Sequence, residues 1–131
     1  MTSTDLCFTP AVELADLIRR RALSPVEITR AVLERIERLN KPLGAYVLVH
    51  AERALDQARL AERVVLAGER LGPLHGVPVS IKDNLWTAGE RTTFGSRLMA
   101  EFVAPEDTPS VAGLRAAGGI FVGRTNLPEF A

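Results

Sequence analysis

The chain is organised around residues 73–96, whose sequence is PLHGVPVSIKDNLWTAGERTTFGS. Glycine and proline at its start indicate a turn, and the apolar residues 77–81 predict a buried strand. Lys82 follows directly at the end of this strand. Lysine is seldom buried, because desolvating an ammonium group is costly unless the group is paired or loses its proton. The position of Lys82 therefore needs a specific explanation.

Lys82 has a structural and a chemical interpretation. In the structural one, its aliphatic stem covers the edge of the strand, while the ammonium reaches water or pairs with Asp83. In the chemical one, burial beside the apolar strand holds the amine neutral, so that it accepts a proton from a reacting group. The residue types alone allow both.

Four segments of the chain carry a resemblance to a known family. They are Gly76–Asn84 (GVPVSIKDN), Thr92–Ser96 (TTFGS), Val111–Gly118 (VAGLRAAG) and Gly123–Phe130 (GRTNLPEF). In their sequence and order they resemble the amidase signature family. One residue departs from the family's pattern: Arg124 stands where lysine is commoner, which keeps the positive charge.

The resemblance implies a mechanism. Members of the family hydrolyse a carboxamide, or transfer its nitrogen, through a Ser–cis-Ser–Lys triad that requires no metal and no organic cofactor. Lys82 matches the lysine of this triad, which acts through the bridging serine on the nucleophilic serine. In the family both serines follow the segment that Gly123–Phe130 matches, and residues 1–131 hold no counterpart. We therefore expect an N-terminal fragment of an amidase that is inactive by itself.

The expected fold class is α/β. N-terminal helices lead into the beginning of a mixed, largely parallel sheet flanked by helices, which is an incomplete amidase signature fold. Within one domain, residues 1–70 are interpreted as a helical lead-in and residues 71–131 as the start of the catalytic α/β core. Strands at 77–81 and 120–122 around a helix at 109–117 predict a βαβ unit with parallel strands. Open strand edges predict marginal stability.

The lead-in is expected to hold three helices and a short strand. Thr9 is expected to cap the first helix, which Pro10 begins, and Ser24 is expected to cap the second. The second helix is expected to end at residues 40–42. A short strand over 45–49 then precedes a third helix over 50–67.

Composition excludes several classes of function. Sixteen basic residues balance sixteen acidic ones, so charge gives no case for binding nucleic acid or an anionic membrane. The single cysteine, Cys7, cannot form an internal disulfide, which suits the cytoplasm. The sequence shows neither a signal-peptide pattern nor an apolar run of about 20 residues that could span a membrane. A cytoplasmic protein is expected.

The remaining candidate residues are polar side chains in loops. His50 is interpreted as a polar helix cap and His75 as a loop histidine, in preference to a base, for which His75 is the better candidate. With one distant cysteine the two histidines make no metal site. Three hydroxyl groups follow the lysine strand and are equally compatible with contacting substrate or with satisfying turns: Thr92, Thr93 and Ser96. Ser80 shares a strand face with Lys82, but neighbours at that spacing point in parallel, so it is interpreted as packing or local support.

Three functions are compatible with these observations. The favoured one is a fragment of an amidase acting on a small-molecule carboxamide, with a possible homodimer of the full-length protein. The second is a fragment of the family's amidotransferase subunit, which amidates glutamyl- or aspartyl-tRNA together with partner subunits. The third is a short, non-catalytic interaction module whose partner covers the open sheet. Fragments should be unstable alone, whereas a module should be soluble and monodisperse.

Overall fold

In the computed structural model, which describes residues 2–131, three helices come first, and strands and helices alternate after them. The elements are α1 Ser3–Phe8, α2 Ala11–Arg19, α3 Pro25–Leu43, β1 Tyr46–Val49, α4 Ala51–Leu66, β2 Pro78–Lys82, a 3-10 helix Arg97–Met99, α5 Pro109–Ala116 and β3 Ile120–Thr125. The expected α/β class is confirmed. Between β2 and α5 the chain is a loop that contains the 3-10 helix.

The strands form one mixed sheet in the order β1-β3-β2. β2 runs parallel to β3, with Lys82 opposite Thr125, and α5 lies between these two strands in the chain. The predicted βαβ unit is therefore confirmed. β1 runs antiparallel to β3 and places Tyr46 opposite Thr125 as well. The first seventy residues thus supply a strand of the sheet in addition to helices.

The two faces of the central strand enter different cores. Ile120 and Val122 pack against buried residues of α3 and α4, namely Ile36, Ala54, Ala58 and Ala61. Phe121 packs on the opposite face with Ile81 of β2 and Val111 of α5. A further core joins α1 and α2 to α3. Because both faces of β3 are covered, its first three residues, 120–122, are all apolar and do not alternate with polar ones.

The start of the chain differs from expectation. Thr2 caps α1 in a capping box with Asp5, so a helix forms over residues 3–8 that the sequence analysis did not predict. Thr9 follows α1, where its hydroxyl donates to the Asp5 carbonyl (2.8 Å). α2 begins at Ala11 without a side-chain cap. The prediction that Thr9 caps the next helix is therefore wrong, because its hydroxyl is bonded to the preceding helix.

The second predicted helix begins as expected and ends later. Ser24 accepts hydrogen bonds from two backbone amides of the first turn of α3, which confirms the cap. The helix does not end at residues 40–42 but continues through Pro42 to Leu43. Gly44 then adopts a left-handed conformation (φ 59°), which glycine reaches without the steric cost of a Cβ.

The outer edge of β1 is closed by a side chain. The Asn40 amide accepts a hydrogen bond from the Tyr46 backbone N–H (2.7 Å) and donates one to the Tyr46 carbonyl (3.0 Å). An asparagine side chain thus occupies the place where a neighbouring strand would bond. This contact protects an edge that would otherwise be free to pair with another chain.

Two glycines are expected to respond oppositely to alanine. At Gly123 a Cβ would lie 2.4 Å from the Leu48 carbonyl oxygen and 3.1 Å from the Tyr46 ring, so β1 would have to move away from β3. We expect Gly123→Ala to lower the free energy of unfolding by about 2 kcal/mol. Gly113, inside α5, has open space around its Cβ position, and Gly113→Ala should raise it by about 0.5–1 kcal/mol. Urea unfolding of both variants tests this, and an unchanged midpoint for Gly123→Ala would contradict the close approach.

Candidate functional site

Lys82 is the last residue of β2, and its side chain is exposed. Its backbone carbonyl accepts a hydrogen bond from the Leu85 N–H (3.0 Å). Among residues 2–131 its ammonium has neither a hydrogen-bond nor an ion-pair partner. The strand residue that is buried is Ile81, which faces α5. Burial of the Lys82 amine, which the chemical interpretation invoked, is therefore not provided by these residues.

Asp83, the candidate partner of Lys82, is committed to other groups. It is only 1% exposed. Its Oδ1 accepts a hydrogen bond from Arg124 Nε (2.6 Å), and its Oδ2 accepts bonds from the hydroxyl (2.5 Å) and the backbone N–H (3.3 Å) of Thr93. Within the structural interpretation, pairing of Lys82 with Asp83 is therefore wrong, whereas the exposed side chain agrees with an ammonium that reaches water.

Arg124 is the centre of a buried polar cluster, with an exposure of 1%. Its guanidinium donates hydrogen bonds to Asp83 Oδ1 (2.6 Å), Thr87 Oγ1 (2.9 Å), the Leu85 carbonyl (2.9 Å) and Thr92 Oγ1 (3.0 Å). Nη1 also lies 3.5 Å from Glu90 Oε2. These six residues are called the arginine cluster below. Since each guanidinium nitrogen donates to an acceptor, the buried charge is well compensated.

Glu90 connects the arginine cluster to the start of α4. Its carboxylate contacts His50 Nε2 (3.1 Å) and accepts a hydrogen bond from Arg53 Nη1 (2.6 Å). His50 occupies the N-cap position of α4, as expected, but its side chain makes no capping hydrogen bond. The interpretation of this imidazole as a cap is therefore wrong, because the ring bonds across the fold to the carboxylate.

The three loop hydroxyls are all used within the fold. Thr92 accepts from Arg124, and Thr93 donates to Asp83. Ser96 donates to Glu129 Oε1 (2.7 Å). These contacts favour the structural interpretation of the hydroxyls. They also bring the segment 92–96 into contact with two of the other resembling segments, Gly76–Asn84 and Gly123–Phe130.

Ser80 lies on the same face of the sheet as Lys82, because the two residues are two positions apart in β2. Its hydroxyl is hydrogen-bonded to the Tyr46 hydroxyl of β1. The Tyr46 ring lies beside Gly123, whose missing side chain leaves room for the ring to cross β3. Ser80 therefore has a partner in β1, the strand on the far side of β3. In the described part of the chain it makes no hydrogen bond to Lys82.

A second arginine–carboxylate pair stabilises the C-terminal end of the loop between β2 and α5. Arg115 of α5 donates to both oxygens of Asp107 (2.8 and 3.2 Å), and Asp107 also accepts the Ala88 N–H (2.8 Å). The hydrogen bond from Arg115, followed by that from Ala88, lowers the pKa of Asp107. The same pair raises the pKa of Arg115. Both ends of the loop are thus fixed by ionic contacts.

The other candidates have structural contacts. His75 Nε2 bonds to the Ala61 carbonyl (3.0 Å), in keeping with its interpretation as a loop histidine. The Cys7 thiol contacts the Ala31 carbonyl (3.6 Å), and burial raises the pKa of this thiol. Over residues 2–131, no group of three histidine, cysteine or acidic side chains is placed to hold a metal ion. Likewise, no helix in this range is long and apolar enough to cross a membrane.

Sequence reasoning missed the arginine cluster. The strand expected at 120–122 extends to Thr125, so Arg124 lies inside a buried strand. Arginine is almost never fully buried unless it is paired, so its position next to an apolar run was a usable signal. This signal was not used because the expected strand ended at residue 122, two residues before Arg124. Arg124 was then interpreted only as a substitution that keeps the charge.

Solved structures define the class of protein to which this fold belongs. A peptide amidase from Stenotrophomonas maltophilia superposes with a TM-score of 0.84 at 33% identity, covering 94% of this chain and 26% of that one. A bacterial aryl acylamidase of the amidase signature family gives a TM-score of 0.85 at 26% identity, covering 93% and 26%. The fold is that of the amidase signature enzymes.

The family follows from sequence. The family model described as Amidase matches residues 27–131, and the chain belongs to this family. Among curated relatives, it is similar to a glutamyl-tRNA(Gln) amidotransferase subunit from Moorella thermoacetica, with 43% identity over 127 residues, and to the same subunit from Salinispora tropica, with 47% over 128. These matches cover 97% and 98% of this chain but 26% of each relative. The chain therefore spans about a quarter of the length of these relatives.

Proposed function

We propose that residues 1–131 form the lysine-bearing N-terminal part of an enzyme that cleaves the C–N bond of a carboxamide, with Lys82 as its proton-transfer residue. The observation that carries the proposal is the environment of Lys82. The lysine ends a strand of an amidase fold, and the carboxylate next to it in sequence is bound by Arg124 and Thr93. A carboxylate partner would favour the charged form of the amine, whereas burial favours the neutral form. An amine without a carboxylate partner is therefore more easily kept neutral when other parts of the enzyme bury it.

In the proposed reaction Lys82 moves a proton. A neutral Nζ accepts the proton of a nucleophilic serine through a bridging serine while the serine oxygen attacks the amide carbon. The proton then returns to the leaving nitrogen as the C–N bond breaks. The two serines belong to the mechanism that the family resemblance implies and lie outside residues 1–131. These residues alone are therefore expected not to turn over amides.

The proposed domain organisation follows from the same assignment. Residues 1–70 form the lead-in, which also contributes β1, and residues 71–131 form the start of the catalytic core. Both belong to one domain in this proposal, because β3 packs against α4 of the lead-in on one face and α5 on the other. A cytoplasmic location and a homodimer of the full-length enzyme are part of the proposal.

Two candidate activities share this chemistry. The favoured one is hydrolysis of a small-molecule carboxamide, because the solved structures with this fold include an aryl acylamidase and a peptide amidase. The second is transfer of amide nitrogen to a tRNA-bound amino acid, together with partner subunits. It is supported by the identity of 43–47% to the glutamyl-tRNA(Gln) amidotransferase subunits. A non-catalytic module has no comparable support.

Two chimeric enzymes test the proposal. Residues 1–131 replace the matching quarter of the Stenotrophomonas maltophilia peptide amidase in one and of the Moorella thermoacetica amidotransferase subunit in the other. We expect at least one folded chimera to retain the activity of its parent, namely cleavage of a peptide amide or amidation of glutamyl-tRNA(Gln). The parent that tolerates the exchange with the smaller loss of kcat indicates the candidate activity. Two folded but inactive chimeras would refute the proposal.

A further inference from the structure

The last residue pair of the parallel ladder places Thr125 next to Lys82. The pairing is regular over the end of β2, where it joins Ser80 to Gly123, Ile81 to Arg124 and Lys82 to Thr125. The N–H of Asp83, the residue after Lys82, donates to the Thr125 carbonyl (3.0 Å) and fixes the two backbones here. Paired residues of parallel strands carry their side chains on the same face, and neighbouring strands lie about 4.8 Å apart. The side chains of Lys82 and Thr125 are therefore neighbours.

The hydroxyl of Thr125 is uncommitted, unlike the other hydroxyls of the sheet. The three strands contain three hydroxyl groups, which belong to Tyr46, Ser80 and Thr125. Those of Tyr46 and Ser80 are hydrogen-bonded to each other. Over residues 2–131 the hydroxyl of the half-buried Thr125 makes no hydrogen bond. Since the Asp83 carboxylate is bonded to Arg124, Thr125 offers the hydroxyl that is left for the amine of Lys82.

A covered lysine amine needs an acceptor that an exposed one does not need. Water satisfies an exposed amine, but burial removes the water, and each buried N–H then requires a partner. A neutral amine has two N–H donors and one lone pair. If one N–H is bonded to a neighbouring oxygen, the rotation of the amine is fixed, and the lone pair can point at the group whose proton it accepts. A hydroxyl oxygen adds no negative charge, so it favours the charged amine less than a carboxylate would.

We propose that Thr125 is a positioning residue for Lys82: its hydroxyl oxygen accepts a hydrogen bond from Nζ when the site is covered, and thereby directs the lone pair of the neutral amine. The proposal rests on the proposed function, since the direction of the lone pair matters only if Lys82 transfers a proton. It involves no hydrogen bond that holds residues 2–131 together. Removal of the hydroxyl should therefore affect the chemical step and leave the fold unchanged.

Steady-state kinetics of the active chimera test the role of the hydroxyl. Thr125→Val keeps the branched shape of the side chain and removes the hydroxyl, so kcat should fall at least about tenfold, with KM within about twofold. Thr125→Ser keeps a hydroxyl and should retain kcat within about threefold of the unmodified chimera. An unchanged kcat in Thr125→Val would overturn the proposal, and so would an equal loss in Thr125→Ser.

Two controls separate positioning from a structural role. Ser80→Ala removes a hydroxyl from the same face of the sheet, but one that is bonded to Tyr46, and its kcat should stay within about twofold. Equal losses in Ser80→Ala and Thr125→Val would refute the assignment to Thr125. The urea midpoint of Thr125→Val in the 131-residue protein should equal that of the wild type. A clearly lower midpoint would mean that the fold itself uses the hydroxyl, which would also contradict the proposal.

A double variant connects the effect to the amine. If Thr125 acts through Lys82, adding Thr125→Val to Lys82→Met should change the residual kcat by less than about twofold, because the group that it positions is already absent. A further tenfold loss would show that the hydroxyl acts independently of the lysine, and the proposal would fail. The proposed function fails separately if Lys82→Met is fully active. An inactive Lys82→Met together with a fully active Thr125→Val overturns only the role of Thr125.

Discussion

Replacing Lys82 by methionine is expected to lower the kcat of the active chimera by about a thousandfold or more. Methionine has a similar length and no proton acceptor, so the serine would attack without a general base. The fold should be unaffected, because the Lys82 side chain is exposed and, among residues 2–131, unpartnered. A change of about 0.5 kcal/mol or less in the free energy of unfolding is therefore expected. Steady-state kinetics and urea unfolding of one preparation give both results.

Two further variants separate proton transfer from charge. Lys82→Arg keeps the positive charge, but a guanidinium does not lose its proton in proteins, so this variant should be as inactive as Lys82→Met. Lys41→Met alters the one other lysine of the chain, near the end of α3, and should be fully active. Full activity of Lys82→Arg would show that the residue acts through its charge, and the proposed role would then fail.

The elements with local signals were predictable from the sequence. The apolar runs around Ile81 and Phe121 identified β2 and β3, and the helix between them identified their parallel pairing. Ser24 identified the start of α3 because a hydroxyl followed by proline is a local cap that does not depend on the rest of the fold. These features require information from only a few neighbouring residues.

The errors arose where two local signals compete. Thr9 can cap the helix after it or bond to the helix before it. In addition, the six-residue α1 is too short to show a helical periodicity of apolar residues. Pro42 normally indicates a helix end, but in the last turn it costs little, and the stop is set by Gly44. Only the packed structure decides between such alternatives.

The place of Lys82 in the fold was predictable, because strand end, motif and residue type coincide within a few positions. Its proposed role in proton transfer stays a prediction. The surroundings of Lys82 were not predictable, since the bond from Arg124 to Asp83 joins residues 41 positions apart. Sequence order also concealed that segment 92–96 meets both Asp83 and Glu129. A buried ionic cluster forms only when the sheet and the loop are assembled. The sequence pattern therefore gives only one indication of it, namely a charged residue next to an apolar strand.

Removing Arg124 is expected to have the largest effect on stability, because it leaves a carboxylate buried without compensation. Asp83 is 1% exposed, and breaking a buried ion pair from one side costs about 3–5 kcal/mol. We therefore expect Arg124→Met to lower the free energy of unfolding by about this amount, which is a large share of the stability of a small domain. Urea unfolding followed by the fluorescence of Trp86, the one tryptophan, measures it.

The double variant identifies the cause of this loss. Arg124→Met combined with Asp83→Asn should be more stable than Arg124→Met alone, since no uncompensated charge is left in the interior. Arg115→Met is the exposed counterpart: its pair with Asp107 is partly open to solvent, so about 1 kcal/mol or less is expected. A Gly113→Ala background keeps the variants folded if the wild type is marginal. Equal losses of stability in Arg124→Met and Arg115→Met would contradict the burial of charge at Asp83. If the double variant is no more stable than Arg124→Met, the loss comes from the missing hydrogen bonds of the guanidinium and not from the unpaired carboxylate.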